Sequence, residues 1–217
     1  MTVLVEAAVD SVESALAAER GGAGRLELCA NLDVGGTTPS GELIDAVLQR
    51  VSIPVVAMVR PRGGSFVHTA EEIAQMHRDL ELVIEHGVHG VVLGVLTADG
   101  AVDTVPVRAL VAEAGETPVV FHKAFDRIAD RQRALATLID LGVARVLTSA
   151  GRPSALEGAH ALVELRAQAN GGIEILAGGK VRGDNVRELV DLSGVTQVHA
   201  RCELDERRIR DIVDALS

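Results

Sequence analysis

The sequence predicts a closed eight-fold (β/α) barrel, a TIM barrel, and three observations carry that expectation. Short β-rich runs alternate strictly with longer segments whose apolar residues recur at helical spacing, which implies a parallel sheet covered by helices. Eight such units fit into 217 residues at about 27 residues each, so one barrel domain over 1–217 uses the whole length. The first turn, Ala7-Ala8-Val9-Asp10-Ser11, has no glycine, whereas an open doubly wound sheet would normally begin with a glycine-rich one.

The eight predicted strands are 3–6, 25–29, 55–60, 90–94, 119–122, 145–149, 173–178 and 196–199. Helical patterns lie between them, for example over 42–48 and 73–84, and a last short helix is expected over 205–216. Gly87, Gly142 and Gly194 stand where a helix end takes a left-handed residue before the next strand. Pro54 and Pro118 immediately precede strands, where the missing N–H costs no ladder hydrogen bond. A helix is expected to begin near Val181, after the seventh strand.

Composition limits the classes of function. Apolar residues make up 47% of the chain and are almost all aliphatic, with three Phe and no Trp or Tyr; such residues suit buried parallel strands. A net charge of -10 gives no broad basic surface for nucleic acid or anionic lipid. The start, Met1 to Glu6, reads as neither a signal peptide nor an anchor, and no apolar run approaches the length of a membrane span. Two cysteines, Cys29 and Cys202, cannot build a disulfide framework, so a cytoplasmic location is expected.

Barrel chemistry gathers at strand C-termini and the loops beyond them. This chain places there Glu6, Glu27 with Cys29, Arg60 with Arg62, His122 with Lys123 and Asp126, Thr148-Ser149, Gly178-Gly179-Lys180, and His199 with Arg201 and Cys202. Because alternate strand residues share a face, an inward Glu27 takes Arg25 and Cys29 with it, an inward Arg60 takes Met58 and Val56, and an inward His199 takes Gln197. Buried charges must be paired, so contact among Glu6, Glu27 and Arg60 is expected. The competing explanation is a structural ion cluster that only closes the barrel.

Three local patterns refine the candidates. In Arg60-Pro61-Arg62-Gly63-Gly64-Ser65-Phe66, two guanidiniums flank a rigid Pro and suit a carboxylate or phosphate. Phe121-His122-Lys123-Ala124-Phe125-Asp126 holds two of the three Phe as walls, with His122 as an acid–base or ligating group. Lys123 follows His122 and is expected on the opposite face of the strand, which argues against a Schiff-base role. Gly178 and Gly179 could offer backbone donors to an anion. These patterns describe an acid–base enzyme acting on a small anionic or phosphorylated metabolite: Glu6, Glu27, His122 and Asp126 would be catalytic, and Arg60, Arg62, Thr148, Ser149, Gly178, Gly179 and His199 would bind. A scaffold acting through assembly of its helix faces is the alternative from another class.

Six stretches together resemble the CutC family, whose members are described as copper homeostasis proteins. They are Arg25-Leu26-Glu27-Leu28-Cys29-Ala30, Gly35-Gly36-Thr37-Thr38-Pro39-Ser40, Val59-Arg60-Pro61-Arg62-Gly63-Gly64, Phe121-His122-Lys123-Ala124-Phe125-Asp126, Arg145-Val146-Leu147-Thr148-Ser149 and Val198-His199. The resemblance implies a cytoplasmic (β/α)8 barrel, a homo-oligomer such as a dimer or tetramer, and copper handling or tolerance. It makes Cu(I) a possible ligand and Cys29 its leading thiolate. Relatives often carry Cys just after the strand-one Glu, where this chain has Ala7-Ala8-Val9.

Overall fold

The computed structural model describes residues 3–217. Eight parallel strands close into a barrel in the order β1 to β8: β1 (Leu4–Val9), β2 (Arg25–Leu28), β3 (Val55–Met58), β4 (Gly90–Leu93), β5 (Val119–Phe121), β6 (Arg145–Thr148), β7 (Glu174–Gly178) and β8 (Gln197–Arg201). Eight helices cover it: α1 (Val12–Arg20), α2 (Gly41–Leu48), α3 (Ala70–Glu85), α4 (Thr104–Ala114), α5 (Arg131–Asp140), α6 (Ala159–Ala169), α7 (Val186–Ser193) and α8 (Glu206–Leu216). The predicted (β/α)8 architecture is therefore the observed one. No helix among the described residues is long and apolar enough to cross a membrane.

Several boundaries differ from expectation, and β3 ends at Met58 rather than reaching Arg60. β1 continues through Ala7, Ala8 and Val9, so the first turn begins only at Asp10. Ala7 and Ala8 pair with both β2 and β8, and Val9 with β2, so neighbouring ladders hold the strand extended. β8 likewise runs on to Arg201, with Arg201 opposite Ala8. Helix α7 starts at Val186, not near Val181: Lys180 has φ +55°, and Asn185 uses its side chain to accept from Arg182 N–H, which makes a turn of the intervening residues.

Strand parity divides the interior into two regions. Val5, Ala7, Leu26, Leu28, Val55, Ala57, Val91, Leu93 and Phe121 face outward and join the helices in the main apolar core. Inside the barrel lies a smaller cluster of Cys29, Val56, Met58, Val92 and Val120, with Leu32 packed on it. Glycine ends α7 at Gly194, φ +65°, and Gly87 and Gly142 follow α3 and α5 in the same left-handed region. Capping boxes start α1 at Ser11 and α3 at Thr69, with Glu72 closing the second.

Gly178 shows how tightly the upper barrel is filled. A Cβ there would stand 2.5 Å from Leu147 Cδ1 and 3.1 Å from His199 Cβ. The glycine makes room for neighbouring strands rather than for an anion. Gly178→Ala is expected to lower stability by roughly 1–3 kcal/mol through overpacking, measured by urea unfolding.

Candidate functional site

The polar interior begins at a buried carboxylate. Glu6 is opposite Arg25 on β2 and His199 on β8 in the ladder register. Arg25 Nε donates to Glu6 Oε2, and Arg25 Nη2 donates to Gln197 Oε1 at 2.7 Å. Glu6 Oε1 lies 2.9 Å from His199 Nδ1. On the far side of the ring, His199 Nε2 faces Glu27 Oε2 at 3.7 Å. Burial would raise the Glu6 pKa, but hydrogen bonding and charge from His199 and Arg25 overcome it and hold it at about 2. Burial alone would lower that of His199; Glu27 and Glu6 outweigh it and push it above the ordinary histidine value. Glu27 moves upward, chiefly through burial.

A cavity of about 430 Å³ opens above this network at the C-terminal end of the strands. Glu27, Met58, Leu147 and His199 line its lower part, while Leu32, Val34 and Gly35 come from the loop after β2. Arg60, Gly64 and Phe66 come from the loop after β3, and His122, Lys123 and Arg127 from the segment after β5. Arg201 ends β8 at the rim. The volume matches a metabolite-sized ligand. Among the described residues, buried side-chain atoms without a hydrogen-bond partner include Glu27 Oε1, Arg60 Nε and His122 Nε2, all on residues of this wall.

His122 is uncharged for a clear reason. Its Nδ1 accepts from Ala124 N–H at 3.3 Å, so its remaining proton is on Nε2. Burial first, and the Arg60 charge second, lower its pKa to about 3. Phe66 packs with its ring centroid 4.8 Å from that of His122, tilted by 51°, and 4.8 Å from the Arg60 guanidinium carbon. Of the three Phe, only Phe66 forms a cavity wall; Phe121 and Phe125 are fully buried in the outer core.

Several expected site residues have other partners. Arg60 makes no contact with Glu6 or Glu27: it stands beyond the end of β3, and its Nη atoms donate to the carbonyls of Gly35, Gly36 and Gly64. Arg25 takes the expected role instead, because it shares the Glu27 face and meets Glu6 in register. Arg62 turns from the cavity to grip Glu72 and the carbonyls of Ser65 and Val67, fastening the loop to the start of α3.

Asp126 accepts from Thr148 Oγ1, from Ser149 N–H and Oγ–H, and from Gly151 N–H. Those three residues form a clasp between the loops after β5 and β6, which leaves Asp126 no free proton-transfer geometry. Gly179, at φ +125°, accepts at its carbonyl from Ala155 N–H, and a Cβ on it would come 3.2 Å from Lys123 Nζ. Neither Gly178 nor Gly179 lines the cavity. Lys123 does, contrary to expectation: β5 ends at Phe121, and Lys123 begins a 3-10 turn to which strand parity does not apply. Arg127, from the same turn, is the cavity cation the sequence reading missed.

The cysteines do not converge. Cys29 is inside the barrel, packed among Val56, Met58, Val92 and Val120, with Sγ 3.8 Å from Glu27 Oε2. Cys202 is buried in the outer core between sheet and helices. Burial pushes the Cys29 thiol well above its usual range and Cys202 up to about 11, so both are thiols at neutral pH. Cu(I) favours thiolate and thioether ligands. Glu6, Glu27 and His199 form an oxygen–nitrogen group within 4.8 Å of one another, already engaged with Arg25. These residues do not fit a thiolate copper centre.

Removing the Glu6 carboxylate would strand Arg25 in the interior. Glu6→Ala is expected to lose about 3–5 kcal/mol of stability. Since Glu6 falls from 4.5 to about 2 on folding, its contribution is full above pH 4.5 and disappears as pH drops through about 2. Acid unfolding of Glu6→Gln should lack that part of the pH dependence.

Comparison with known proteins places this geometry in a family. Residues 3–203 match the profile of the CutC family. The chain is 47% identical over 196 residues to the copper homeostasis protein cutC homolog of Mus musculus, covering 90% of this chain and 72% of that relative. Identity is also 47% over 196 residues to a CutC family protein of Xylella fastidiosa, covering 90% and 73%. A solved CutC structure from Streptococcus agalactiae superposes with a TM-score of 0.88 at 32% identity, covering 94% of this chain and 100% of that one. The chain belongs to the CutC family.

Proposed function

We propose that this chain serves copper homeostasis, the role its relatives are named for, by binding a small anionic molecule at the barrel mouth rather than by holding copper on thiolates. The observation that carries the reading is the cavity wall: Arg60, Lys123, Arg127 and Arg201 surround a metabolite-sized space. Lys123, Arg127 and Arg201 are exposed at its rim, where they draw anions inward, while Arg60 is buried behind them. Arg60 Nε adds an unpartnered donor. Copper itself is not a resident cofactor in this reading, because the two thiols are buried apart and protonated. Two free cysteines suit a cytoplasmic location, and assembly into a dimer or tetramer belongs to the same proposal.

Thermal melting with phosphate and with small mono- and dicarboxylates tests the anion, while Cu(I) titration against a competing chelator tests the metal. Saturating anion should raise the melting temperature of the wild type, and Arg127→Ala with Arg201→Ala should weaken binding roughly tenfold. Cu(I) should bind wild type and Cys29→Ala equally weakly. A flat response to every anion, or tight Cu(I) binding lost in Cys29→Ala, would contradict the reading.

A further inference from the structure

We infer that the cavity catalyses reversible proton abstraction from the carbon beside a carbonyl, on a small α-hydroxy carbonyl compound that carries a carboxylate or phosphate. Glu27 acts as base and neutral His122 as hydrogen-bond donor to the carbonyl oxygen. The inference rests on the anion-binding reading above and adds to it a substrate class and a reaction.

The geometry behind it is a pair of unpartnered atoms on two residues of the cavity lining, Glu27 on β2 and His122 just after β5. Glu27 Oε2 is turned toward His199 Nε2 and Cys29 Sγ, which leaves Oε1 without any protein partner although the residue is only 4% exposed. His122, also 4% exposed, has Nδ1 occupied by Ala124 N–H and Nε2–H unpartnered. Buried polar atoms are nearly always paired, so two such atoms on residues that line one cavity point to a ligand that supplies the partners. One is an acceptor of protons and the other a donor of a hydrogen bond. The cations Lys123, Arg127 and Arg201 lie at the rim, where the anionic end of a ligand would rest.

The step balances without a cofactor. Glu27 Oε1 takes the proton from the carbon adjacent to the carbonyl, forming an O–H bond as the C–H bond breaks. The freed electron pair becomes the carbon–carbon double bond of the enolate. The carbonyl π pair moves onto oxygen, where His122 Nε2–H stabilises it. Return of the proton regenerates substrate and base. A carboxylate base opposed by a neutral imidazole donor suits this chemistry, because an uncharged ring leaves the base's pKa undisturbed while still polarising the carbonyl. The upward pull of burial on Glu27 makes its carboxylate a stronger base.

Exchange in heavy water tests the inference directly. The probes are dihydroxyacetone phosphate, hydroxypyruvate and uncharged dihydroxyacetone, with carbon-bound deuterium followed by proton NMR and binding by thermal melting in parallel. Enzyme-dependent exchange is expected with the phosphate or the carboxylate probe, the responding arm identifying the anion, and not with the uncharged one. Glu27→Gln should reduce exchange at least about 100-fold while still binding the probe. His122→Gln is the second variant, expected to slow exchange about 100-fold, should Glu27→Gln fail to fold. Binding of a charged probe without exchange, or an undiminished rate in Glu27→Gln, would overturn the proton-transfer step and leave anion binding standing; exchange equal for the uncharged probe would overturn the anionic substrate class. No binding of either charged probe would overturn both.

Discussion

The upper barrel depends on one buried carboxylate. Glu6 meets Arg25 on one side and His199 on the other, so three neighbouring strands are tied together by charge as well as by their ladders. Taking these groups out of water is costly, and the arrangement is tolerable only because every Glu6 oxygen has a cationic or hydrogen-bonding partner. The consequence reaches beyond stability. With Nδ1 held by Glu6, the His199 ring presents Nε2 to Glu27, and Glu27 keeps one oxygen for the cavity. Removal of Glu6 would therefore disturb both the position and the charge of the groups above it.

Some of the loops' charged residues brace the barrel mouth, and others line its rim. Arg60 binds four backbone carbonyls from two different loops, Arg62 fastens its own loop to α3 through Glu72, and Asp126 clasps the loops after β5 and β6. A guanidinium's planar fork suits carbonyl cradles of this kind as well as it suits phosphate. The cations left at the mouth are Lys123, Arg127 and Arg201, on side chains long enough to adapt to a ligand. Braced loops thus carry exposed cations, and the uncharged His122 is buried behind them.

Alternation, length and glycine placement made the barrel legible, because each follows from backbone geometry local to its unit. Inward-facing residues were legible too, since parity needs only a strand and a starting face. Pairing between strands was not. Glu6 meets Arg25 because of the stagger between β1 and β2, which no local pattern encodes, and the expected Arg60 partner lies past its strand's end. Parity also misled at Lys123, where it was extended two residues beyond the strand into a 3-10 turn. Gly178 was read as a backbone donor, yet its requirement is the space taken by Leu147 and His199. The Arg62–Glu72 bond had a visible clue: Thr69 and Glu72 have capping-box spacing, which points the Glu72 carboxylate back toward the preceding loop.

Two histidines in one cavity hold opposite protonation states because of their neighbours. Heteronuclear NMR of labelled histidine rings across a pH titration measures this most directly. His122 should remain the neutral Nε2–H tautomer until pH approaches about 3, and His199 should keep its second proton above pH 6.5. If both rings titrate together near 6.5, neither the Glu6 network nor the buried neutral donor exists as described, and the account of the site fails.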